Sequence, residues 1–136
     1  STIRDIMFHG FTTNQVQGPA GPLHTLRGGQ GAPLLLLHGH PQSHVMWHLV
    51  AGELAKHFSV VMMDLRGYGD SVRAPADAEH HNYSKRSMAL DAIAVMQHYG
   101  FDRFQVMAHD RGARVAHRLA VDHPDAVQRL LVLNKC

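Results

Sequence analysis

The chain has 136 residues, 45% of them hydrophobic, and its 13 Lys and Arg against 11 Asp and Glu leave a formal charge of +2 at neutral pH with 13 histidines uncharged. That composition supports one packed domain and excludes a disordered chain, and the scattered basic residues argue against a nucleic-acid partner. No apolar run approaches a membrane span, the N-terminus lacks a signal-peptide pattern, and Cys136 is the single cysteine, so a cytoplasmic protein with no membrane association and no internal disulfide is expected.

In chain order, Ile6 to His9 and Leu23 to Arg27 read as short strands. Gly28-Gly29-Gln30-Gly31 is a turn, without the spacing or the following helix of a phosphate loop. Pro33 to His38 reads as the third strand, and His44 to His57 as a helix with Met46, Val50, Leu54 and Phe58 at helical spacing. Ser59 to Asp64 is the fourth strand, and Asp77 to Asn82 an irregular loop. A helix is expected from Ser84 as N-cap to Gly100 as C-cap, with Met88, Ala92, Met96 and Tyr99 on one stripe. Arg103 to Ala108 is the fifth strand, Arg111 to His123 a helix that stops before Pro124, and Arg129 to Asn134 the sixth strand. The last four strands are apolar on both faces, as strands covered on both sides should be, which predicts an α/β fold with helices on both faces of the sheet.

The segment Ala108-His109-Asp110-Arg111-Gly112 joins an apolar strand to a helix in the small-x-nucleophile-x-Gly form of a nucleophile elbow. Here the nucleophile position is Asp110. An aspartate is already ionised at neutral pH and has no proton to lose, so it suits displacement at a saturated carbon and formation of an ester. Arg111 and Arg114, three apart on the first turn of the helix, share a face beside it. A forked pair of guanidiniums can hold a carboxylate with its α-carbon against the Asp110 oxygen.

These elements in this order, with His38-Gly39-His40-Pro41 after the third strand, Asp64-Leu65-Arg66-Gly67-Tyr68-Gly69-Asp70-Ser71 after the fourth and the Asp elbow after the fifth, resemble the α/β-hydrolase superfamily. Within it, His109-Asp110-Arg111-Gly112-Ala113-Arg114 is similar to the haloacetate (fluoroacetate) dehalogenases. The resemblance implies an α/β-hydrolase core with a mostly parallel sheet, acting on a small haloacid without metal or organic cofactor. Asp110 is then the nucleophile, Arg111 and Arg114 the carboxylate clamp, and the backbone N–H groups of Arg111 and His40 a small anion hole, with His40 also lining the pocket. His109 is expected to point into the protein.

In the resembling enzymes the cap domain, further strands and the catalytic histidine follow Cys136, so residues 1–136 correspond to the N-terminal part of the catalytic domain, truncated before the cap. Asn134 stands where this branch carries the acid that orients the histidine. On that reading the chain forms the ester but lacks the base that hydrolyses it efficiently, and its open sheet edge favours a homodimer. Epoxide hydrolysis, which shares the Asp nucleophile, and a non-catalytic module of the fold are the alternatives. A rival from another class is a metal site built from His38, His40, His44 and His48.

Overall fold

The computed structural model describes residues 10–38, 44–65, 84–109 and 111–133, with His38 and residues 44–48 described by their backbone alone. Strands β1 (Thr12–Gly18), β2 (Gly21–Gly28) and β3 (Ala32–His38) precede helix α1 (His44–Leu54) and β4 (Phe58–Asp64). Helix α2 (Lys85–His98), β5 (Phe104–His109), α3 (Arg111–Asp122) and β6 (Val127–Leu133) complete the order. The strands form one six-stranded sheet in the order β1-β2-β4-β3-β5-β6. The pairs β4·β3, β3·β5 and β5·β6 are parallel, whereas β1·β2 and β2·β4 are antiparallel.

Register assigns each side chain to a face. Leu35, Leu37, Val61, Met63, Val106 and Ala108 lie on one side and pack with Met88, Ala92, Val95 and Met96 of α2 and Val115, Ala116 and Leu119 of α3. Leu34, Leu36, Val60 and Met62 face the other way and pack with Leu26 and Ala51, the latter from α1. Helices therefore cover both faces, and the two-sided apolar runs of β3 and β4 are explained. Full burial of each such aliphatic side chain contributes roughly 1.5–3 kcal/mol.

Local signals end the elements. Ser84 caps α2, its hydroxyl accepting from the Ser87 N–H at 3.0 Å, while Tyr99 is the C-cap and Gly100, at φ 84°, takes the following left-handed position. Gly29 (φ 80°) and Gly31 (φ 132°) carry the β2–β3 turn. A Cβ on either would strike the backbone of the α1–β4 turn, at Ala55 and Phe58 or at His57.

Three expectations change. Thr12–Gly18 is a strand that the sequence pattern did not indicate: only Val16 of its inward positions is a large apolar residue, and it is held by the hairpin with β2 across Pro19-Ala20. The helix expected to reach His57 ends at Leu54 because His57 N–H bonds the Leu54 carbonyl at 3.0 Å in a tightened turn, which releases Phe58 to begin β4. β6, expected to be covered on both faces, borders the sheet among the described residues, where Leu131 is 52% and Val132 43% exposed. The expected strand at Ile6 to His9, the loop at Asp77 to Asn82 and Asn134 lie outside the described residues.

Candidate active site

The chain leaves β3 for α1 on one face of the sheet and leaves its parallel neighbour β5 for α3 on the other, and the crevice at the carboxyl ends of two such strands is where α/β sheets bind ligands. The register aligns His38 with Asp64 on one side and with His109 on the other. All three are the last residues of their strands, and the three motif segments leave the sheet from this row. Asp64 is 4% exposed, whereas His109 is half-buried on the face that also carries Met107.

β5 ends at His109 and α3 begins at Arg111, so a single residue, Asp110, separates strand from helix. Asp110 and His40 themselves lie outside the described residues, as do the side chains of the histidine series from His38 to His48. Among the described residues no group of three or more His, Cys, Asp or Glu could hold a metal ion.

α3 is strongly two-sided. Gly112, Val115, Ala116 and Leu119 are buried at helical spacing, which turns Arg111, Arg114 and Arg118 outward. Arg111 and Arg114 are exposed on the first turn, on the same face. Neither takes Asp122 as partner: that carboxylate accepts from Arg118 Nη1 at 3.2 Å and lies 3.6 Å from Arg86 Nε.

Lys85 is a residue that sequence reasoning missed. It opens α2, which packs against α3, and its ammonium is held below the ordinary lysine value first by burial and then by the charges of Arg111 and Arg114. A local signal was present, because neither α2 nor α3 has an acidic residue in its first turn. Both begin with cations instead, Lys85 and Arg86 on one and Arg111 and Arg114 on the other, and α3 ends on Asp122. A helix N-terminus carries partial positive charge, so each such cation is misplaced by about 0.3–1 kcal/mol relative to neutral placement.

A cleft of about 580 Å³ lined by Ile93, Gln97, Phe101, Phe104, His123 and Ala126 opens between the C-terminal ends of α2 and α3 and the start of β5. It lies at the other end of the sheet from the His38, Asp64 and His109 row and is separate from the Asp110 junction.

Comparison with known proteins gives a consistent set of relatives. The sequence profile of the α/β hydrolase fold matches residues 32–135. A fluoroacetate dehalogenase of Burkholderia sp. is 47% identical over 94% of this chain and 42% of its own length. A soluble epoxide hydrolase of Corynebacterium sp. (strain C12) is 41% identical over 82% of this chain and 37% of its own length. Among solved structures, an α/β-hydrolase-type protein from Nostoc sp. PCC 7120 superposes with a TM-score of 0.90 at 52% identity, covering 94% of this chain and 44% of that one. The chain thus spans less than half the length of the relatives it matches.

Proposed function

Because the chain belongs to the α/β-hydrolase fold family, we propose that residues 1–136 form the N-terminal part of a catalytic domain whose Asp110 displaces halide from a short haloacetate. The observation that carries this reading is the pair Arg111 and Arg114, exposed together on the first helical turn after the nucleophile position. An Asp110 carboxylate oxygen attacks the α-carbon in line with the carbon–halogen bond. The new C–O bond forms as the halide departs with the bonding electron pair, leaving an ester. Arg111 and Arg114 hold the substrate carboxylate and so align the α-carbon, while the N–H groups of Arg111 and His40 serve as the anion hole. Water then cleaves the ester with help from a general base. The dehalogenase of Burkholderia sp. supports this substrate class by similarity.

The test is intact-mass spectrometry after incubation with chloroacetate or bromoacetate, with peptide mapping to separate an Asp110 ester from alkylation of Cys136. A carboxymethyl adduct at Asp110, or continuous halide release that Asp110→Asn abolishes, is the expected result. No reaction at Asp110 overturns the reading. The epoxide hydrolase of Corynebacterium sp. favours a second one, in which Asp110 opens an epoxide ring. Labelling of Asp110 by a simple alkyl epoxide but not by haloacetate selects that alternative.

A further inference from the structure

The two helix ends that meet at the cleft of about 580 Å³ are finished differently. At the end of α2 the chain closes on itself: the N–H groups of Tyr99, Gly100 and Phe101 bond the carbonyls of Val95, Gln97 and Met96 at 2.8–3.3 Å. α3 has no such closure. His123 N–H reaches the Leu119 carbonyl, Pro124 has no N–H to give to Ala120, and the N–H groups of Ala126 and Val127 both go to the His123 carbonyl. Among the described residues the carbonyls of Ala120, Val121 and Asp122 therefore accept no backbone hydrogen bond, and no basic residue stands in the last turn of α3. This helix end carries partial negative charge and opens on the cleft, which Asp122, His123 and Pro124 line. Ile93, Phe101, Phe104 and Ala126 give the cleft an apolar wall. Asp102 and Asp125 also line it, from two loops held side by side by the bond from Phe104 N–H to the Ala126 carbonyl at 2.8 Å. Among the described residues neither carboxylate makes an ion pair or a side-chain hydrogen bond, whereas Asp122 is already paired with Arg118. Arg103 offsets one of the two charges, so the lining keeps a negative excess before the helix end is counted.

We infer that this cleft is a binding site for a small organic ammonium ion, its apolar body against Ile93 and Phe101 and its N–H donors on the carbonyl end of α3 and the Asp125 carboxylate. The cleft volume falls within the range of small-molecule pockets. A primary ammonium brings three donors and one positive charge, so it gives the open carbonyls the hydrogen bonds that the chain does not, while its charge answers the helix end and the two carboxylates together. A neutral molecule of the same shape meets the apolar wall alone, and an anion is repelled. The inference stands apart from the haloacid reaction, because the cleft and the row of His38, Asp64 and His109 lie at opposite ends of the sheet.

The experiment uses the intact protein that carries this chain, titrated with 2-phenylethylammonium chloride at neutral pH and fixed ionic strength and followed by calorimetry and amide NMR shifts. A Kd of about 1 mM or tighter is expected, with shifts concentrated in residues 97–104 and 119–127. The neutral isostere 2-phenylethanol and the bare methylammonium ion are each expected to bind at least about tenfold more weakly, the first for want of charge and the second for want of apolar surface. Asp125→Asn and Asp102→Asn, both at exposed positions, are expected to raise Kd by about three- to tenfold at an unchanged thermal midpoint, and added salt to weaken binding to the parent. Glu53→Gln, in α1 on the other face of the sheet, is expected to leave Kd as it was. Equal binding of 2-phenylethanol, shifts confined to other residues, parental affinity in both Asp variants, or no binding at about 10 mM overturns the inference. Binding of a lysine-rich peptide at the cleft without binding of 2-phenylethylammonium also overturns it, in favour of a protein partner.

Discussion

Tyr99 ties together residues far apart in sequence. Its hydroxyl lies 2.7 Å from the Thr25 hydroxyl on β2 and accepts from the Asn14 amide on β1 at 3.2 Å, while Thr25 donates to the Asn14 carbonyl at 3.1 Å. Thr25 is fully buried, so removing the phenol leaves its hydroxyl with one partner fewer in a site water does not reach. Tyr99→Phe is expected to lower stability by about 1–2 kcal/mol in urea unfolding, with the β1–β2 hairpin losing amide protection first. Lys85 acts in the opposite direction. Burial and the neighbouring arginines disfavour its ammonium in the fold, so the unfolded chain holds that proton more tightly. Stability therefore rises with pH as Lys85 loses its proton below the ordinary lysine value of 10.5, and Lys85→Gln is expected to flatten that rise when thermal unfolding is followed across alkaline pH.

At the scale of elements, α1 is the helix with room for improvement. Gly52 sits exposed in its interior, and a Cβ built there meets nothing within 4 Å. Gly52→Ala is expected to stabilise the protein by about 0.5–1 kcal/mol, read as a higher urea midpoint at unchanged slope. Most elements were legible in the sequence because their signals are local. Ser84 and Gly100 bracket α2, the apolar runs of β3 and β4 announce strands covered on both faces, and Pro124 follows the end of α3. β1 was not legible, since Thr12–Gly18 is mostly polar and becomes a strand through its partner across the hairpin. The Asp110 junction could be read because strand end, turn and helix start fall within a few residues. Lys85 left a local sign in the cation-first turn of α2, but the influence of Arg111 and Arg114 on it arises only once α2 packs on α3, across a long stretch of sequence.

At the scale of residues 1–136, β6 borders the sheet among the described residues. Among the described residues no strand pairs with its outer side, and Leu131 and Val132, at 52% and 43% exposure, point to opposite faces. An exposed, apolar edge strand is a template for pairing with another strand. This 136-residue polypeptide is expected to self-associate through β6, read as a concentration-dependent mass in sedimentation equilibrium. Leu131→Lys with Val132→Lys is expected to shift it to monomer while the circular dichroism spectrum is retained. A parent chain that stays monomeric at high concentration counts against pairing through this edge.

The strand order also sets a direction of growth during synthesis. Once β4 has paired with β3, β5 docks on the far side of β3 and β6 docks on β5, each new strand extending the sheet at the flank just laid down. A chain emerging from the ribosome can therefore add structure without dismantling what has already formed, and from β5 onward one open border belongs to the newest strand. A nascent polypeptide of this kind carries its hazard at a moving front, where a chaperone near the exit tunnel would meet it.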